Sequence, residues 1–234
     1  MGDIYRMRRI IVAIVSITLF VFVIISNTPN QAWQIQPVVT DQVQTTSSST
    51  TLDVLAALAV KGRAPKTDYT REKFGANWTI KNGCDTRNII LNRDLINSIV
   101  DEKCNVISGT LNDPYSGKII QFKRGSDTSG AVQIDHVVAL SDAWQKGAQQ
   151  FTSVKRIELA NDPLELLAVD GDLNMQKSDG DAATWLPPNK SFRCQYVARQ
   201  IAVKQKYGLW VTQAEYDAMM VVLDKCPGQL LPSP

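Results

Sequence analysis

Three arginines (Arg6, Arg8, Arg9), followed by an apolar run from Ile10 to Ile25 broken only by Ser16 and Thr18, constrain this chain more than any other stretch. As a helix the run would extend about 24 Å, short of the roughly 30 Å hydrocarbon core of a bilayer. That length and the basic flank fit a secretory signal. The following Asn27-Thr28-Pro29-Asn30-Gln31-Ala32 offers no small-x-small cleavage site. An uncleaved signal anchor, with the arginines inside and this segment against the membrane, therefore stays open as the second reading. Both readings set residues 1–26 apart from the working domain and place the rest, secreted or membrane-anchored, outside the cytoplasm.

Residues 27–52 continue with Val38-Val39-Thr40-Asp41-Gln42-Val43-Gln44 and Thr45-Thr46-Ser47-Ser48-Ser49-Thr50-Thr51. Such a polar composition buries too little apolar surface to fold, and it reads as a linker. The folded domain is expected over residues 53–229, with 230–234 as a flexible tail. From residue 53 onward there are 22 basic and 21 acidic residues, so no whole-domain field advertises a polyanion partner.

Export gives the four cysteines their meaning. Cys84, Cys104, Cys194 and Cys226 contain no C-x-x-C pair, which disfavours a zinc knuckle and favours disulfides. Of the three connectivities, Cys84–Cys104 and Cys194–Cys226 each close a modest loop around an expected helix. The chain has one histidine, His136. One imidazole excludes two-histidine zinc motifs and paired-histidine acid/base chemistry.

Hydrophobic periodicity suggests an α+β domain, mostly helical, with short strands in the middle. A short helix is expected from Asp53 to Val60. Arg87 to Val100 carries Ile89, Ile90, Leu91, Leu95, Ile96, Ile99 and Val100 near helical spacing. Residues 105–107 and 118–122, joined by Asn112-Asp113-Pro114-Tyr115-Ser116-Gly117, read as a hairpin. Extended runs follow at 131–138 and 164–169, with helices near 141–150, 153–160, 171–177 and 189–207. Gly208 suits a helix C′ position, and Thr212-Gln213-Ala214-Glu215 reads as a capping box opening the last helix.

Two clusters carry candidate chemistry. Asp135-His136 ends an extended run, and Asn174-x-x-Lys177-x-Asp179 lies at the start of a short helix. Carboxylate and amide oxygens suit a hard divalent ion. Lys123-Arg124, Lys155-Arg156 and Arg193, Arg199, Lys204 and Lys206 fit ordinary helix-surface cations better than a single basic face. Arg87 reads more readily as an ion-pair partner of Asp94 than as a catalytic group.

Ile134-Asp135-His136-Val137-Val138 and Asn174-Met175-Gln176-Lys177-Ser178-Asp179 resemble the HNH endonucleases, whose fold is a β-hairpin followed by a helix around one metal ion. The latter segment also resembles the HNH domain of CRISPR effector nucleases. Over roughly residues 53–226 the chain is similar to exported bacterial HNH proteins related to the nuclease half of the GmrSD restriction enzyme. Gly83-Cys84-Asp85-Thr86-Arg87-Asn88, Ser108-Gly109-Thr110 with Asp113-Pro114-Tyr115, and the run Gly180 to Pro188 carry that similarity.

The resemblance implies a ββα-metal core stapled by disulfides. It implies His136 as the general base, Asp135 and Asn174 as ligands of one divalent ion (Mg²⁺, with Mn²⁺ as the second choice), and a phosphate contact at Lys177. Arg87 and Arg124 are further substrate-contact candidates. Where the family usually has an asparagine that ties down the hairpin loop, nine residues before Asn174, this chain has Glu165. Glu165 could accept the backbone hydrogen bonds itself, or Asn161 could serve in its place. The implied function is an exported endonuclease acting on DNA, with RNA as a further candidate substrate, and with low sequence specificity. The alternative is a weakened HNH-like surface domain that binds nucleic acid or a protein partner.

Overall fold

Thr50 caps the first helix by accepting from the Asp53 amide while the Asp53 carboxylate reaches back to the Thr50 amide. In the computed structural model, which describes Met7 and residues 50–232, this capping box starts helix α1 at Thr51 (Thr51–Ala57). The start lies inside the stretch assigned to the linker, because a reciprocal cap satisfies two amides that a linker would leave to water. The apolar run at residues 10–25 and most of the linker fall outside the described residues. Ser47–Pro234 forms one unit, and at its other end Leu231 packs on the core.

Helix α2 (Thr86–Asp94) starts at Asp85, whose carboxylate accepts from the Asn88 amide. It ends six residues earlier than the apolar spacing suggests. Ile96, Ile99 and Val100 form strand β3 (Ile96–Val100), their side chains outward, with Asn97 in left-handed backbone. β-Branched side chains at a helix end favour the pleated alternative once a partner strand is at hand. That partner is β4 (Val106–Asn112), which pairs on its other edge with β5 (Ile119–Lys123) in the expected hairpin. A two-residue ladder, β1 (Ile80–Lys81) with β2 (Cys84–Asp85), precedes α2.

The site rests on the second half of the fold. Strand β6 (Val132–His136) pairs antiparallel with β7 (Leu166–Asp170), from Val132 opposite Asp170 to His136 opposite Leu166. Between them the chain makes an excursion through α3 (Leu140–Gln145) and α4 (Ser153–Ala160). Immediately after β7 comes α5 (Gly171–Lys177), capped by the Asp170 carboxylate. A Cβ at Gly171 would collide with the Gly130 carbonyl oxygen, so glycine is what allows α5 to start this close to the 3-10 turn Ser129–Ala131 that leads into β6. Helices α6 (Arg193–Tyr207) and α7 (Gln213–Leu223) complete the domain, and Gly208 closes α6 in left-handed backbone.

Two apolar clusters result. One is helical and centres on α1, α3, α6 and α7; the other gathers α2 and the inner faces of β4 to β7. The disulfides are Cys84–Cys104 and Cys194–Cys226, with Cα separations of 5.3 and 6.4 Å. Both are the pairings the loop argument favours. No helix among the described residues is long and apolar enough to cross a membrane.

Candidate active site

Strand alternation sorts the site. Val132 and Ile134 point into the second apolar cluster, so Gln133 and Asp135 face the other way, toward α5. There Lys177 Nζ donates to Asp135 Oδ1 at 2.9 Å and to the His136 carbonyl at 2.8 Å. The Tyr115 hydroxyl donates to Asp135 Oδ2. Burial pushes the Asp135 carboxyl up, against the pull of Lys177 and Tyr115. Burial and the facing Asp135 push the Tyr115 phenol well above its ordinary range, so it remains a donor.

His136 takes the side of the strand shared with Ile134 and stacks on Trp78, with centroids 5.7 Å apart and planes 4° from parallel. Its Nε2 lies 3.0 Å from the Ala160 carbonyl oxygen. A carbonyl only accepts, so Nε2 carries the proton and Nδ1 keeps its lone pair. Burial, then the charge of Arg71, lowers the imidazole to about pKa 3 despite the Ala160 carbonyl. The ring is therefore neutral across the physiological range.

Asn174, one turn before Lys177 on α5, donates through Nδ2 to Gln133 Oε1 at 2.9 Å, which leaves its own Oδ1 open. Asp135, His136 and Asn174 line one cleft of about 510 Å³ together with Gln133 and Arg71. Among the described residues no cluster of three histidine, cysteine or acidic side chains stands ready as a closed metal cage. The donor set is one carboxylate and one amide oxygen. That set fits a hard cation that keeps most of its coordination as water and phosphate oxygen, the habit of Mg²⁺.

Glu165 stands at the end of the excursion, fully buried. Its Oε2 accepts from the Val138 amide at 3.2 Å and its carbonyl from the Val137 amide at 2.9 Å, so it fastens the loop just beyond His136. Burial, only partly offset by the Val138 amide, drives its carboxyl well above the ordinary range. Asn161 binds elsewhere, accepting from the Thr79 amide and donating to Ile157.

Three expectations are corrected. Lys177 is buried, and its ammonium is held by Asp135 and a carbonyl instead of reaching a phosphate. Arg87 and Arg124 are not at the cleft. Arg87 points to the Val132 carbonyl at 3.4 Å, and Arg124 clamps the Val106 carbonyl at 2.8 Å and Asn88. Nor does Arg87 pair with Asp94, which is bound by Arg93 at 2.6 Å. Most of the other cations weighed for a basic face are turned inward, as when Arg199 donates to Leu166 and Lys204 lies fully buried.

Two of the motifs prove to be braces. Asp113 accepts from the amides of Asp170 and Ser116, tying the β4–β5 turn to β7, and Asn88 accepts from the Val106 amide. Arg71, Trp78, Gln133 and the Ala160 carbonyl have no signal in the sequence. They reach the site from separate segments.

A strand ending in Asp-His, its antiparallel partner, and a helix carrying Asn-x-x-Lys behind them form the strand–strand–helix unit of HNH-type nuclease domains. The model of the GmrSD restriction endonuclease C-terminal domain matches residues 85–222, and the chain belongs to that family. An uncharacterized secreted protein of Arthroderma benhamiae is 39% identical over 182 residues, a match spanning 77% of this chain and 86% of that one.

Proposed function

We propose that this protein is an exported, divalent-metal-dependent endonuclease that hydrolyses phosphodiester bonds in DNA with little sequence preference. Membership of a nuclease family sets the reaction class. The secreted relative and the two disulfides favour an extracellular setting. The observation that carries the reading is the His136 tautomer: the Ala160 carbonyl takes Nε2–H, and a neutral Nδ1 is left in the cleft shared with Asp135 and Asn174.

In this reading Nδ1 accepts a proton from the attacking water. The Trp78 stack and the Ala160 hydrogen bond fix the plane of the ring, and the negative charge of bound phosphate raises the ring's basicity as substrate arrives. Lys177 and Tyr115 orient Asp135 from behind, while Gln133 orients Asn174. Asp135 and Asn174 Oδ1 would hold the cation, which supplies Lewis-acid polarisation and charge neutralisation when bound. Glu165 holds the loop beyond His136 by accepting from the Val138 and Val137 amides, the role an asparagine has in the family, which supports the active reading over the weakened one. No helix-turn-helix or zinc-finger reader occurs among the described residues, in keeping with low sequence preference.

The test is nicking of supercoiled plasmid by the full chain with Mg²⁺, with Mn²⁺ and with EDTA. Nicking that stops in EDTA and falls about 10²–10⁴-fold in His136→Ala, the usual worth of a general base, is expected. A folded His136→Ala protein as active as wild type would overturn the mechanism. Binding of DNA without cleavage by the wild type would favour the weakened-domain alternative.

A further inference from the structure

Arg71 opens a short 3-10 turn, Arg71–Phe74. Phe74 is buried against Trp144, with centroids 6.3 Å apart, and Arg156 donates to the Lys73 carbonyl at 3.0 Å, so the turn is pinned through a side chain and through the backbone. The Arg71 side chain itself is exposed. It lines two adjoining clefts, the one that holds Asp135, His136 and Asn174, and a second of about 250 Å³ that includes Trp78 and Ala160. Because His136 stacks on Trp78 and donates to Ala160, the imidazole lies between these clefts with Arg71 at the rim of both.

Neighbouring cations are already engaged. Lys177 is held by Asp135 and Lys66 by Asp179 at 2.8 Å. Among the described residues Arg71 enters no ion pair. A guanidinium carried on a pinned turn, without a carboxylate partner and at the rim of the cleft that holds His136, is suited to an anion that arrives with the substrate.

We propose that Arg71 is the substrate-positioning residue that seats a backbone phosphate of the nucleic acid beside His136, in place of the sequestered Lys177. This rests on the nuclease reading and deepens it. The planar fork of arginine matches two phosphate oxygens at once, which a point charge cannot do. The two clefts give the strand a way in and a way out past the imidazole.

The experiment measures binding of a short fluorescein-labelled DNA oligonucleotide to the full chain by anisotropy, in EDTA and across a salt series, and then steady-state cleavage with Mg²⁺. Arg71→Gln, Arg71→Lys and a control, Lys103→Gln, remove or alter one cation each; Lys103 is exposed and lines neither cleft. Arg71→Gln is expected to bind about tenfold more weakly with a salt slope lower by roughly 1, and to raise KM more than it lowers kcat. Arg71→Lys should recover part of the affinity, and Lys103→Gln should match wild type. Equal affinity and equal salt slope for wild type, Arg71→Gln and Lys103→Gln would overturn the proposal. Arg71-dependent binding by a wild type that cuts nothing would defeat the nuclease reading and leave this one standing. Cleavage with an unchanged KM in Arg71→Gln would defeat this one alone.

Discussion

Two buried polar clusters lie in this domain, and they are built on opposite principles. The first joins Arg63, Lys146 and Lys204 to Asp142, Asp181 and Glu215, three cations against three carboxylates. Lys146 alone meets all three acids, at 2.7, 2.9 and 2.6 Å. Lys204 adds Glu215 at 3.0 Å and Arg63 adds Asp142 at 2.8 Å. Burial by itself would raise the Asp181 carboxyl, but Lys146 and Arg63 bring it down to about 2. Lys204 moves the matching way: Glu215 and Asp142 overcome its burial and raise it.

The second cluster sets one cation, Lys177, against two carboxyls, Asp135 and Glu165. With too little positive charge nearby, burial wins and both acids move up. The same low-dielectric interior thus lowers an acid where charges balance and raises it where they do not. Charge parity serves the fold, whereas the imbalance sits beside the cleft, where Asp135 is one of its lining residues.

Breaking the balanced cluster should cost most. Lys146→Met leaves three buried carboxylates to two cations, Arg63 and Lys204, and breaking a buried pair typically costs about 3–5 kcal/mol. Denaturant unfolding should show a loss in that range, and a loss under about 1 kcal/mol would mean the network carries little. Lys177→Met removes the only cation from the second cluster but leaves Asp135 its hydrogen bond from the Tyr115 hydroxyl. We expect a smaller loss of about 1–3 kcal/mol, accompanied by a fall in nicking because Asp135 loses its orientation. A stability loss equal to that of Lys146→Met would erase the distinction between the clusters.

Glu165→Gln sharpens it with the smallest effect. The folded-state pKa of Glu165 is raised, so its contribution to stability is full below the ordinary value of 4.5 and is lost as pH rises through the folded value. Glutamine keeps the Val138 hydrogen bond and cannot ionise. The variant should match wild type within about 1 kcal/mol near pH 4 and gain on it steadily toward alkaline pH in thermal melts. Parallel curves for the two proteins would show that Glu165 is ionised in the fold. Asp181 predicts the reverse dependence: its stabilisation is present above 3.8 and is lost as pH falls toward about 2.

Much of this was written locally. The hairpin turn at Asp113-Pro114, the strand ending at His136, the helix stop at Gly208 and both disulfides follow from neighbours or from modest loops. Thr212 caps α7 as its spacing suggests, yet Glu215 does not return the bond, because buried Lys146 and Lys204 claim its carboxylate. Periodicity failed at Ile96–Val100, where a strand partner prevailed over helical spacing. It could not show that Lys177 turns inward, since a lysine's exposure depends on which carboxylate the fold brings beside it.

By itself, the sequence determined which residue types were available to the site: one imidazole, a carboxylate next to it, an amide and a lysine on a short helix, and a glutamate where an asparagine is usual. Those are properties of single residues and fixed spacings, and they point to a reaction class. The tertiary structure alone decided which nitrogen of His136 is free, that Lys177 serves Asp135, and that Arg71 stands at the cleft. Each depends on groups distant in the chain, the Ala160 carbonyl, the Asp135 carboxylate and the turn before Phe74. Charge and hydrogen bonding act over a few ångströms of space, and the number of residues between two groups carries no record of that distance.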